Sequence, residues 1–131
     1  MLQITGIDHL VLRAHDAPRL IKFYTEVLGL AVERDQSAIG LTQLRAGTSL
    51  IDIVAVDSLL GRLGGAGPAA EGRNLDHFCL NVAGFELEAV RAHLESHGVE
   101  IGESGVRYGS GGEGVSLYLR DPEGNGLELR G

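Results

Sequence analysis

Two histidines and two carboxylates in this chain are placed as if by one rule. His9 lies in GIDHLVLRA (6–14) and His77 in NLDHFCLNV (74–82), 68 positions apart in a chain of 131 residues. Each follows an aspartate and opens a run with strand-like alternation. Aligning the halves brings Gly29 onto Gly98 at nearly the same offset. It also lays SLIDIVAV (49–56) on NGLELR (125–130), so that Asp52 falls on Glu128. Two imidazoles and one or two carboxylates, with water in the remaining positions, suit a divalent transition ion such as Ni, Zn, Co, Mn or Fe. An ion so held can act as a Lewis acid that stabilises negative charge developing on substrate oxygens. A carboxylate beside it can shuttle a proton. His9, Asp52, His77 and Glu128 are therefore the candidate metal ligands, and Glu128 and Asp52 the candidate proton carriers.

Donors split between two halves must be positioned by matching elements. In the first half, Leu10 and Leu12 alternate with His9, Val11 and Arg13, which places the histidine on the face turned from the leucines. Asp16 reads as a helix N-cap with Pro18 in the first turn. Leu20, Phe23, Tyr24, Val27 and Leu28 follow at helical spacing, and Gly29 stops the helix. Short strands are expected around 31–35, 39–45 and 50–56. The second half repeats the order: a strand over 75–82, a helix carrying Leu87, Val90 and Leu94 and closed by Gly98, then strands near 99–103, 115–120 and 126–130. Phe78, Leu80 and Val82 oppose His77, Cys79 and Asn81, and Glu128 points away from Leu127 and Leu129. The expected fold class is α+β, with two β-α-β-β-β modules pairing into an open curved mixed barrel, helices outside. The modules span 1–60 and 74–131, joined by a Gly/Ala-rich crossover at 61–73. All four candidate ligands would then converge inside the barrel, where Arg13, Asn81, Tyr118 and Arg120 could orient substrate oxygens.

Composition narrows the partners. A hydrophobic content of 44% suffices for a core, and the net charge of −7 argues against nucleic acid or an anionic membrane. The single cysteine, Cys79, cannot form an intrachain disulfide and points to a reducing cytoplasm. It reads as a small inward side chain, not a nucleophile. MLQITGIDHL has no basic region leading into an apolar one, so it does not read as a signal peptide. His93 and His97 sit four apart on the second helix and read as a solvated face. YGSGGEG (108–114) lacks the Lys-Ser/Thr ending of a phosphate loop and reads as a mobile hairpin or lid.

DHLVLRAHDAPRLIKFYTEVLGL (8–30), LDHFCLNV (75–82) and SLYLRDPEGNGLEL (116–129) resemble the vicinal oxygen chelate superfamily: glyoxalase I, extradiol dioxygenases, fosfomycin-modifying enzymes and bleomycin-binding proteins. The resemblance covers nearly the whole chain and is more specific for fold than for reaction. It implies metal-ligand roles for His9, His77, Glu128 and Asp52, a small-molecule substrate, a homodimer with shared sites, and a glyoxalase-like lyase or isomerase. It departs at Asp52, where glyoxalase I carries a glutamate; an aspartate reaches less far by one C–C bond, about 1.5 Å. Without it, His9, His77 and Glu128 form the two-histidine, one-carboxylate set associated with non-haem iron. This keeps an extradiol dioxygenase as an alternative. A bleomycin-resistance-like binding protein is the other, although a metal-free binder has no need of paired histidines.

Overall fold

The computed structural model describes all 131 residues, which divide into two compact units, Met1–Ala69 and Ala70–Gly131. In the first, β1 (His9–Ala14) leads into α1 (Ala17–Lys22) and a π-helical turn over Phe23–Val27. Strands β2 (Ala31–Gln36), β3 (Leu41–Ala46) and β4 (Ser49–Ala55) complete the unit. The sheet order is β1-β4-β3-β2, with β1 parallel to β4 and the other pairs antiparallel. A parallel pair needs a long crossover, and here the helix and two strands supply it. The Asp16 carboxylate accepts the Arg19 N–H at 3.1 Å, a cap of about 1 kcal/mol. The helix expected to reach Leu28 loosens after Lys22, where the Thr25 hydroxyl donates back to the Ile21 carbonyl at 2.9 Å. Leu12, Leu20, Tyr24, Leu44, Ile51 and Ile53 are buried between helix and sheet.

The second unit runs β5 (His77–Asn81), α2 (Leu87–Ser96), β6 (Ile101–Gly109), β7 (Gly112–Arg120) and β8 (Gly126–Arg130). Its sheet order is β5-β8-β7-β6, again with only the first pair parallel. The α+β class and the twice-used β-α-β-β-β plan are thus both present. Glu86 caps α2 by accepting the Glu88 and Ala89 N–H groups at 3.3 and 2.8 Å. Both helical segments end at a left-handed glycine, Gly29 at φ 76° and Gly98 at φ 71°, where a side chain would be strained. Leu94, Leu117, Leu119, Leu127 and Leu129 form the core.

The strands depart from expectation at their ends. Residues 1–8 carry no regular structure, so each first strand opens on its histidine. β6 and β7 form one long hairpin with nine residues in each strand. YGSGGEG is therefore strand and two-residue turn, not a separate loop. Asp121 organises the following turn, accepting the Glu123 and Asn125 N–H groups at 2.9 and 3.0 Å. No helix is long and apolar enough to cross a membrane.

Register decides what each sheet presents. His9 pairs with Leu50 and Val11 with Asp52; His77 pairs with Gly126 and Cys79 with Glu128. Since alternate residues share a face, each carboxylate, two pairs along from its histidine, stands on the same face. The leucines on the other face meet the helix.

Candidate functional site

In the second unit the histidine and carboxylate meet. His77 Nε2 lies 3.2 Å from Glu128 Oε2, and His77 Nδ1 lies 2.7 Å from an Asp76 oxygen. Asp76 thereby occupies one ring nitrogen and turns the other to Glu128. Glu128 is only 7% exposed, and a carboxylate so buried needs hydrogen bonds. The buried Ser116 hydroxyl donates to its Oε1, which leaves Oε2 facing the imidazole. Asp76 raises the His77 pKa above 6.5, chiefly through its hydrogen bond, against a lowering by burial; the Asp76 and Glu128 charges raise it further.

This pair fits a divalent ion. Ligand bonds of about 2.1 Å put two neighbouring donors about 2.9–3.4 Å apart, and the observed 3.2 Å lies within that span. The Nδ1–carboxylate contact is also the outer support that metal-binding imidazoles ordinarily carry.

Around this pair the sheet face is polar. The Tyr118 ring meets His77 edge-on at 5.5 Å between centroids. The Arg107 guanidinium lies 5.6 Å from the Tyr118 ring centre. Arg120 is exposed and donates to the Gly124 carbonyl at 3.0 Å, while Asn81 is exposed opposite Arg130. His77, Tyr118 and Arg120 line a groove of about 580 Å³ with Asp76, Glu100 and Glu103. The Cys79 residue is exposed, yet its thiol is pushed up to about 11, first by desolvation around the sulfur and then by the Glu128 charge. It is a neutral thiol, in keeping with a non-nucleophilic role.

The first unit offers the same residue types in a looser arrangement. His9 Nδ1 lies 2.6 Å from Asp8, and that hydrogen bond is the main cause of its raised pKa; burial lowers it, and the Asp52 and Asp8 charges add to the rise. Asp52 is 4% exposed. Both its oxygens accept from the Gln43 side-chain amide, at 3.3 and 3.2 Å. No hydrogen bond joins His9 to Asp52. Arg13 is turned to the crossover: it donates to the carbonyls of Gly61, Gly65 and Ala66 at 2.9, 2.6 and 2.9 Å. Its guanidinium therefore clamps this segment instead of standing free for a substrate.

Asp8, Asp76, Gln43 and Ser116 were missed by reasoning from sequence. The repeated Asp-His dipeptide was the available signal for the first two. The others are cross-strand neighbours of the candidate carboxylates, visible only once register is known. Within neither unit do three His, Cys, Asp or Glu side chains gather as a metal-holding group.

Comparison with known proteins gives this geometry a family context. Residues 6–129 match the family model of the Glyoxalase/Bleomycin resistance protein/Dioxygenase superfamily. The glyoxalase domain-containing protein RDO1 of Mycosarcoma maydis is 31% identical over 135 residues, covering 98% of this chain and 69% of that protein. Virulence protein STM3117 of Salmonella typhimurium is 31% identical over 131 residues, covering 96% and 83%. An integron cassette protein from the mobile metagenome of V. cholerae superposes with a TM-score of 0.77 at 29% identity, covering 99% of this chain and 97% of that one.

Proposed function

The chain belongs to this superfamily, the vicinal oxygen chelate group, and on that footing we propose a metal-dependent enzyme that grips its substrate through two adjacent oxygens. The reaction is that of a glyoxalase-like (lactoylglutathione lyase-like) lyase or isomerase. The observation that carries this reading is the His77–Glu128 pair, 3.2 Å apart, with Asp76 and Ser116 fixing the far side of each group. His77 and Glu128 would hold the ion; His9 and Asp52, the matching pair of the first module, are the further candidate ligands, and the assembly we propose is a homodimer. The ion, Ni, Zn, Co, Mn or Fe, supplies Lewis-acid stabilisation of charge on the substrate oxygens.

The chain's own residues supply the rest. With Oε1 held by Ser116, Glu128 has Oε2 to take a proton from one substrate carbon and return it to the next. Asp52, buried beside Gln43, is the second carboxylate able to carry it. Asp8 and Asp76 hold the imidazoles in one orientation, and Tyr118, Asn81 and Arg120 border the substrate. A thiol adduct of a 2-oxoaldehyde is the substrate class this chemistry suits.

One observation favours a second reading. Gln43 engages both oxygens of Asp52, and if that contact persists in the working protein, His9, His77 and Glu128 remain as a two-histidine, one-carboxylate set. This is the set for ferrous iron and oxygen-dependent ring cleavage.

Metal content per chain, on protein purified without chelator, tests the proposal against His77→Ala and Glu128→Ala. We expect near-stoichiometric metal in the parent and its loss in both variants. Turnover of a methylglyoxal–thiol adduct would favour the lyase, and oxygen uptake with catechol the dioxygenase. Failure to bind any of the five ions after reconstitution would sink both readings and leave a binding protein.

A further inference from the structure

Arg130 follows Glu128 by two residues on β8, so both side chains leave the same face of the second sheet. Arg130 is only 8% exposed, the most buried arginine of the chain. Its side chain reaches across to the β6–β7 hairpin, where Nη2 donates to the Gly112 carbonyl at 2.8 Å and to the Arg107 carbonyl at 3.4 Å. A Cβ on Gly109 would stand 1.4 Å from Nη1, and one on Gly114 would stand 2.7 Å from Nη2. These glycines of the YGSGGEG stretch form a floor without side chains, and the guanidinium fills the volume they leave. Neighbouring Arg107 repeats the arrangement, its Nη1 lying 2.7 Å from where a Gly105 Cβ would be.

Charge is what this floor leaves unbalanced. The chain carries 18 acidic residues and a net charge of −7, yet no carboxylate pairs with its most buried arginine. The other arginines in ion pairs are Arg45 with Glu33, Arg91 with Glu88 and, loosely at 3.7 Å, Arg107 with Glu103. Both Arg130 hydrogen bonds go to neutral carbonyls through Nη2, while a guanidinium has five N–H donors. Nε and Nη1 have no acceptor in the protein. They are not sealed in, because Arg13 Nε is the chain's only fully buried side-chain nitrogen or oxygen without a partner. A buried cation is costly unless it is paired, and a planar guanidinium fork is matched by a carboxylate or a tetrahedral oxyanion.

We propose that Arg130 is an oxyanion subsite that selects substrates carrying a carboxylate or phosphonate group near the oxygen pair gripped at Glu128. This deepens the function proposed above and rests on it for the meaning of "substrate", though not for the binding of an anion. Ser116, whose hydroxyl is bonded to Glu128, is the residue opposite Arg130 in register, so the two side chains leave the sheet within one cross-strand step of the reacting end.

The test is calorimetric titration of the whole chain with acetate and with methylphosphonate, metal-free and metal-loaded, with metal content measured on the same samples. The parent should bind at least one probe in both states, and the preferred probe identifies the anion class. Arg130→Met should weaken binding by about tenfold or more, with metal content unchanged. Gly109→Ala keeps the arginine but drives a methyl into the place of Nη1, and should weaken binding as well; it decides the matter if Arg130→Met does not fold. A parent that binds neither probe, or an Arg130→Met or Gly109→Ala variant that binds as the parent does, overturns the subsite. Loss of metal binding with anion binding intact would instead overturn the function it rests on.

Discussion

The two modules share one scaffold and one register, yet only the second has its histidine and carboxylate in contact. In each, the carboxylate sits two strand pairs along from the histidine, on the shared face. Glu128, longer by one methylene, reaches His77 and still meets Ser116. Asp52 falls short of His9 and is taken by Gln43, its partner across the strands. The corresponding partner of Glu128 is Tyr118, which offers a ring to His77 instead of an amide to the carboxylate. Beyond the carboxylates the modules diverge further: Val54 stands where the second module has Arg130, and Leu41 where it has Ser116. A duplicated fold thus keeps a histidine and a carboxylate in both halves, while only one half has the two in contact on a polar sheet face.

The sharpest way to break this comparison is to remove each carboxylate in turn. Glu128→Ala should abolish metal retention and lower kcat/KM by about 10²–10⁴-fold, whereas Asp52→Ala should cost about tenfold or less, since Gln43 already occupies its oxygens. Metal analysis and steady-state kinetics on the two variants provide the check. Equal losses would mean that the modules contribute equally in the working protein.

A smaller effect is expected from the aspartates behind the imidazoles. Asp76→Asn should weaken metal affinity by about 10–100-fold, measured by competition with a chromogenic chelator. Asp8→Asn should fall at the lower end of that range, because His9 lacks the fixed carboxylate that makes the orientation of His77 matter. A reversed order would place the tighter half of the site on the first module. Below these comes a gain: Asp52→Glu restores the missing methylene and should raise metal affinity, by no more than about tenfold. If affinity falls instead, the Gln43–Asp52 contact is itself needed.

Much of this asymmetry lay outside what the sequence could express. Helix and strand order, both histidines and both carboxylates were legible because they depend on local periodicity and on a repeat that aligns by inspection. The Asp52 departure was visible as one missing carbon, but not that Gln43 engages both its oxygens. Arg13 reads from the sequence as able to orient substrate oxygens; its bonds to a crossover 48 to 53 residues away were not legible, because no local rule specifies the path of that segment. Arg130 was open to the same alternation argument as Glu128, but its reach over Gly109 and Gly114 needs the hairpin register. Ser116 was likewise hidden until pairing placed it beside a carboxylate.

The smallest predicted effect concerns pH in the metal-free protein. The groups facing His77 are Asp76, Glu128 and the Tyr118 ring, with Cys79 on its own strand; those facing His9 are Asp8 and Asp52. Hydrogen bonds to Asp76 and Asp8 are the leading causes that hold both imidazoles above the ordinary 6.5. A histidine raised in the folded state stabilises it fully below the unfolded value, and that contribution is lost as pH rises through the folded one. Tm in the presence of chelator should therefore fall as pH is raised upward from about 6.5, modestly because both rings are partly exposed. Asp76→Asn should flatten the part of this slope that belongs to the second module and leave the first module's part in place. An unchanged slope in Asp76→Asn would mean that the Asp76–His77 contact does not persist in solution, and with it would go the reason for expecting Nε2 to face Glu128.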